Sequence, residues 1–437
     1  MTKITVDFTK NVRAMKPVHA IGQPPIMGWS NDSLFHFLTE AGIPYSRLHD
    51  TGGGFGGGRF VDIPNVFRDF DADPDDPASY DFTWTDPLIT SLVNAGVEPY
   101  YRLGVTIENE VWRKAYHVNP PKDFTKWAKI CAGVIRHYTK GWANGFHYKM
   151  TYWEIWNEPD CGSLRNMWTG TWEQYLELYK TASRLLKGEF PEIKIGGYAS
   201  CGFYALIHPE YKGDELRENF ITSFERFLAF VSENQCPLDF FSWHSYDAPD
   251  TVEFYADYVD RKLKEYGFSG VEQHLNEWNY KHALRGKAYH SAAAAAFILE
   301  MQRSKVDIGM FYDGRCGTSS YGGLFNPMTL QPLKAYWAFT SFNELYRLKN
   351  EVFSSSDTEH VYVCAAAAQD EGAVMIVNFT EKECPVELDL GDRTITSCRL
   401  TDEAFDFAPV TFRNALPPNS IILLTVRSLR EKKKHKE

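Results

Sequence analysis

From about residue 17 to residue 348 the chain alternates short apolar runs with longer stretches of helical periodicity. The runs are PVHAIG (17–22), IPYSRLHD (43–50), VEPYYRLG (97–104), MTYWEIWNEP (150–159), IKIGGYAS (193–200), LDFFSWHSY (238–246), EQHLNEWN (272–279) and VDIGMFYDG (306–314). Most are nearly continuous rather than alternating, the pattern of parallel strands buried on both faces. Helical signals lie between them. Asp86-Pro87 reads as a cap with a proline at the first helical position, closed by Ala95-Gly96. Thr171 and Gln174 form a capping-box pattern before YLELYKTASRLLK, with Pro191 as the stop. Ser291 precedes AAAAAFILEMQ, and LKAYWAFTSFNELYRL (333–348) supplies the last helix. Eight such units predict an α/β chain with a (β/α)8 TIM barrel over 17–348. A doubly wound sheet, the alternative, would show fewer strands and a phosphate loop after the first.

Beyond residue 349 the pattern changes to short strands separated by turn residues: VYVCAAAA, AVMIVNFT, CPVELDL, TITSCRLT and SIILLTVRS. These predict an accessory antiparallel β-sandwich over 349–427, to which residues 1–16, through ITVDF, add a strand. Residues 428–437 are expected to be a disordered basic tail.

Composition narrows the function. Of 437 residues, 44% are hydrophobic and 15% aromatic, ample for a large core. A net charge of -11 argues against a nucleic-acid partner, which would need a basic stripe. No window approaches the roughly 18 continuous apolar residues of a membrane span. MTKITVDFTK has no apolar leader core, so a cytoplasmic protein is expected. The eight cysteines are scattered without a CxxC pair and read as reduced core thiols rather than a disulfide frame or zinc site. Gly52-x-Gly54-x-x-Gly57 formally fits a dinucleotide fingerprint, but prolines and acids follow where a helix N-terminus should stand. It reads instead as a loop at the barrel mouth. No metal and no cofactor is required, and the oligomeric state stays open.

TIM-barrel active sites stand at the C-terminal ends of the strands. There the chain places Arg47 and His49 (second strand), Asn157 and Glu158 (fourth), His244 and Tyr246 (sixth), Glu277 and Trp278 (seventh), and Asp313 and Arg315 (eighth). Glu154 shares a strand face with Glu158 and is expected inside the barrel as a structural layer residue. Two glutamates facing each other across a barrel mouth are the equipment of glycoside hydrolysis. One protonates the leaving oxygen, and the other attacks the anomeric carbon or activates water.

R-x-H, WEIWNEP, H-x-Y and NEW, in that order on the second, fourth, sixth and seventh strands, resemble glycoside hydrolase family 39 of the clan A retaining glycosidases. The family includes β-xylosidases and α-L-iduronidases. The resemblance implies Glu158 as acid/base, Glu277 as nucleophile, Asn157 as ligand of the sugar's 2-hydroxyl, and His49, His244 and Tyr246 as pocket residues. It implies a retaining exo-acting glycosidase on an oligosaccharide or glycoside. Between the family's branches the strand-eight end, with Asp313 repelling a uronate unless Arg315 offsets it, favours a neutral β-linked sugar, xylose first. Iduronate, galactose, glucose, arabinose and a catalytically silent sugar-binding relative are the alternatives.

Overall fold

The computed structural model describes residues 1–26, 34–48, 51, 61–105, 118–164, 167–316 and 320–428. The first strand, β1 (Thr2–Ala14), belongs to the accessory sheet, and eight parallel strands then close a barrel. These are β2 (Ala20–Gly22), β3 (Tyr45–Leu48), β4 (Glu98–Leu103), β5 (Tyr152–Ile155), β6 (Lys194–Ser200), β7 (Phe240–Ser245), β8 (Glu272–Trp278) and β9 (Ile308–Tyr312). Each lies within one of the eight apolar runs, so the TIM barrel is as predicted.

Period-two alternation explains the interior. Tyr45, Tyr100, Tyr152, Phe240 and Met310 form an apolar lower layer. The Tyr100 hydroxyl is 3.1 Å from His274 Nδ1 within it. Two residues further along their strands, Arg47, Glu154 and Ser242 form a polar layer above, joined by Asn276 and fully buried. Residues of the opposite parity, such as Trp153, Ile155, Phe241 and Leu275, pack in the core beneath the helices.

The helices are where expected, with two shifted starts. The first begins at Thr85 with Trp84 as its cap, so Asp86 and Pro87 lie inside the first turn. Proline is tolerated there because the first four helical N–H groups have no intrahelical acceptor. The alanine-rich helix begins at Ala288, and the Ser291 hydroxyl donates to Lys334 O at 2.9 Å instead of capping. The Thr171–Gln174 capping box is formed in both directions.

The remaining strands are β10 (Asn350–Ser356), β11 (Val361–Ala368), β12 (Glu371–Asn378), β13 (Cys384–Asp389), β14 (Arg393–Thr401), β15 (Ala408–Pro409), β16 (Ala415–Leu416) and β17 (Ser420–Ser428). With β1 they make one curled nine-stranded sheet, ordered β15-β14-β17-β12-β11-β10-β1-β13-β16. The two layers of the expected sandwich are thus continuous, and β1 pairs with β13 in parallel. Alternation again sorts the faces. Val363, Ala365, Ile376 and Leu424 enclose the sheet's own core. Tyr362, Cys364, Met375 and Leu423 turn the other way and join the barrel core. Ser428 ends β17, and the rest of the expected tail lies outside the described residues.

One glycine shows how tightly the barrel wall is set. A Cβ on Gly196 of β6 would lie 2.1 Å from the Phe240 carbonyl oxygen of β7, a backbone atom that cannot swing aside. Gly196→Ala must therefore part β6 from β7. We expect a loss of about 1–3 kcal/mol, read as a lower denaturation midpoint, together with reduced activity because β7 carries Ser242 and His244. An unchanged midpoint would show that the wall yields more easily than this contact implies.

Candidate active site

Arg47 is the centre of the barrel mouth. Its side chain is fully buried, and every arm of the guanidinium is engaged. Nε donates to Glu154 Oε2 at 2.7 Å, Nη1 to Glu277 Oε1 at 2.7 Å and Nη2 to Asn157 Oδ1 at 2.6 Å. Burial works against the cation, but Glu154 and Glu277 outweigh it and hold the guanidinium above its ordinary range. Glu154 is the fixed anchor, accepting also from Ser242 Oγ (2.6 Å) and Asn276 Nδ2 (2.5 Å).

Glu277 reaches this site through an irregularity. Trp243 pairs with Leu275 but His244 pairs with Glu277, so β8 carries one extra residue against β7. Such a bulge re-aims side chains. Asn276 and Glu277 both bond within the barrel, whereas strict alternation would send one outward. The Tyr246 hydroxyl donates to Glu277 Oε2 at 2.8 Å. Burial, the largest effect, leaves the Glu277 carboxyl above its ordinary range. His244 and Arg47 pull it down, the nearby Glu158 pushes it up, and the Tyr246 hydrogen bond pulls it down.

Glu158 sits differently. Trp156 and Glu158 both adopt left-handed backbone, at φ 73° and 46°. Each such residue costs about 1–3 kcal/mol and persists only where its surroundings fix it. Here the Trp156 amide donates to Leu103 O (2.8 Å), its indole to Met167 O (2.8 Å), and the Glu158 amide to Ala199 O (3.1 Å). His244 Nδ1 lies 2.7 Å from Glu158 Oε1 and 3.5 Å from Glu277 Oε2. Burial pushes the His244 imidazolium down to about 4, opposed by Glu277 and assisted by Arg47, so the ring is neutral near pH 7. Between His244 Nδ1 and Glu158 Oε1 the ring donates or accepts according to its tautomer. Glu158 thus faces a neutral partner and Glu277 a cation. Oxygens of the two glutamates lie within 4.8 Å of one another.

The other candidates divide. Asn157 is 2% exposed and joins the Arg47 network. Trp278 does not belong to the mouth. It is fully buried, stacked on Phe297 and Phe339 at centroid distances of 4.9 and 6.2 Å, because the bulge returns the strand to outward parity after Glu277. Asp313 is fully buried and accepts from Arg315 Nε (3.0 Å) and Nη2 (2.8 Å), so these charges offset each other. His49 and the glycine-rich stretch 52–58 lie outside the described residues.

Sequence reasoning missed three features. Ser242 stands two residues before His244 on the same strand face, a signal that alternation could have supplied. Asp160 is buried, accepts from Ser200 Oγ (2.9 Å) and the Cys201 amide (3.1 Å), and is pushed up to about 7 by burial and then by Glu158. Only the fold places it. A cleft of ≈ 420 Å³ opens beside Glu158 and Tyr246, lined also by Cys161, Cys201, Arg217 and Lys281.

Removing the central cation tests the network. Arg47→Met leaves Glu154 and Glu277 buried without their counter-charge. The expected cost is about 3–5 kcal/mol, read by denaturant unfolding at neutral pH. A loss below about 1 kcal/mol, the scale of a surface ion pair, would mean that the carboxyls are not held as charges.

The model for glycosyl hydrolases family 39 matches residues 31–308. A β-xylosidase of Geobacillus stearothermophilus is 25% identical over 353 residues, 72% of this chain and 64% of that protein. A β-xylosidase of Caldicellulosiruptor saccharolyticus is 24% identical over 371 residues, covering 78% and 69%. The chain therefore spans somewhat under two thirds of the first relative's length and slightly more of the second's. Among solved structures, a glucosidase from Croceicoccus marinus superposes with a TM-score of 0.78 at 20% identity, covering 98% of this chain and 99% of that one. A monomeric β-xylosidase from Caulobacter crescentus gives 0.69 at 17% identity, covering 98% and 99%. At those identities the superpositions speak for the shared architecture. The family match spans well over half of the chain and includes both glutamates, and on that ground the chain belongs to glycosyl hydrolases family 39.

Proposed function

We propose that this protein is a retaining glycoside hydrolase that releases a neutral β-linked sugar, xylose in the first instance, with Glu277 as nucleophile and Glu158 as acid/base. The observation that carries this reading is the asymmetry of the carboxyl pair. Glu277 is held by Arg47 and the Tyr246 hydroxyl, donors that favour its ionised form against the burial that raises its proton affinity. Glu158 meets a neutral imidazole that can pass a proton either way. Their spacing, with oxygens within 4.8 Å, suits retention, since inverting pairs stand about 6.5–9.5 Å apart to admit a water.

In the first half-reaction the Glu158 proton goes to the glycosidic oxygen as that bond breaks. A Glu277 oxygen bonds to the anomeric carbon. In the second, Glu158 takes a proton from water, and the water oxygen displaces Glu277. Arg47 holds the attacking oxygen in line and fixes the Asn157 amide by its Oδ1. That orientation leaves the amide nitrogen as the donor for the sugar's 2-hydroxyl, a bond that strengthens in the transition state. The choice of xylose is supported by the names of the two sequence relatives. The Arg315–Asp313 pair supports it further, because a uronate would have to compete for a guanidinium already engaged. A glucoside is the second reading, favoured by the glucosidase of similar architecture.

Two measurements test this. Glu277→Ala should lower kcat by at least about 10⁴-fold, the scale of nucleophile removal. Glu158→Ala should lower kcat/KM for unactivated xylosides by about 10²–10⁴-fold while largely sparing kcat/KM for activated aryl xylosides, whose leaving groups need no proton; their kcat falls because the second step loses its base. NMR that finds the anomer first released inverted would overturn the mechanism. The sugar is tested by comparing aryl β-xyloside, β-glucoside, β-galactoside, α-L-arabinoside and α-L-iduronide at equal concentration. The xyloside should give the highest kcat/KM. An iduronide preference that is lost in Arg315→Ala would instead assign the pocket to an acidic sugar.

A further inference from the structure

On the side of Glu158 away from Arg47, a second group of chemically competent atoms converges. A Glu158 carboxylate oxygen, Cys161 Sγ and Cys201 Sγ all lie within 4.8 Å of one another. Cys161 sits on the 3-10 turn Pro159–Leu164 that follows β5, and its amide donates to Glu158 O at 3.1 Å. Cys201 comes directly after β6, and its amide donates to the Asp160 carboxyl at 3.1 Å. The thiols are 4% and 9% exposed, yet both line the ≈ 420 Å³ cleft, so a small ion has a path to them.

Two sulfurs and one carboxylate are a donor set for a soft or borderline divalent cation. Zinc–sulfur bonds of about 2.3 Å place tetrahedral sulfurs roughly 3.8 Å apart, within the observed spread. The ligands come from three backbone positions already fixed by hydrogen bonds. The Asp160 carboxyl, bonded to Ser200 and Cys201, adds negative charge one shell out. A fourth position would face the cleft, the arrangement of three protein ligands with one open site.

We propose that Cys161, Cys201 and Glu158 form a site for a thiophilic divalent cation of the zinc and cadmium class, and that its occupancy withdraws the Glu158 carboxyl from proton transfer. On binding, the two thiol protons, and the Glu158 proton where present, leave to solvent, two sulfur–metal bonds and one oxygen–metal bond form, and nothing is oxidised. The metal site stands on the geometry alone, whereas its inhibitory effect rests on the acid/base reading of Glu158.

The test titrates the purified enzyme with Cd²⁺ while following the thiolate-to-cadmium charge-transfer band in the ultraviolet and, in parallel, turnover of an unactivated xyloside. The band should saturate at one equivalent. Turnover should fall by about 10²-fold or more, as loss of a general acid does, and a chelator should restore both. Cys161→Ser and Cys201→Ser should each weaken Cd²⁺ binding by at least about 100-fold, since even outer partners of a metal ligand are worth about 10- to 100-fold. Glu158→Gln should keep the band at lower affinity. A band unchanged in the double serine variant would place the ion on other cysteines and overturn the site. Inhibition without a band would place it on Glu158, His244 and Glu277, and would overturn the site equally. A band of the expected cysteine dependence without inhibition upholds the site and overturns the acid/base assignment instead. Should the serine variants fail to fold, alkylation of the unmodified enzyme followed by peptide mass spectrometry decides. Protection of both thiols by Cd²⁺ supports the site, and labelling of both at saturating Cd²⁺ refutes it.

Discussion

A single buried guanidinium organises the barrel mouth. Two carboxylates, Glu154 and Glu277, and one amide, Asn157, share the Arg47 cation, and none of the four side chains has appreciable contact with solvent. Burying charge is costly unless the partners are in place. Arg47 and Glu154 therefore need each other structurally, and Glu277 makes use of a cation that the fold must hold anyway. The planar fork matters as much as the charge, because three separate directions are fixed at once and an ammonium could not reproduce them.

The same arrangement gives the two glutamates different surroundings. Both are nearly inaccessible, at 4% and 7% exposure, so burial does not distinguish them. Their partners do. Glu277 faces a permanent cation and a hydroxyl donor, and Glu158 faces an imidazole that burial keeps neutral. In the proposed mechanism this difference in partners is what assigns the two carboxyls their separate tasks.

Most of the architecture was legible in the sequence because parallel strands buried on both faces leave a strong apolar signature. All eight barrel strands fall within the predicted runs, and five of the accessory strands were visible from their turns. Asn350–Ser356 was not, because its NEVFSSS pattern lacks the apolar content of its neighbours. Glu158 and Glu277 were found as strand-end carboxylates, and the closed barrel brings them together. Trp278 was grouped with the mouth because it follows Glu277 at the strand end, whereas strand alternation turns the residue after an inward one outward, into the helix layer. Asp160, Cys161 and Cys201 were out of reach for another reason. They meet only because β5 and β6 are neighbours in the closed barrel, a proximity that no local spacing encodes.

The bulge in β8 also ties the Glu277 carboxylate to the helix layer around the barrel. Glu277 points into the mouth, while Trp278, one peptide later, is clamped between aromatic rings of the two final helices, Phe297 and Phe339. The aim of the carboxylate is therefore set from both sides of the barrel wall at once. The helix layer acts as a mounting plate for it, and repacking at Phe297 or Phe339, far from any sugar, is a route by which drift or selection can retune the reaction without touching a single residue of the pocket.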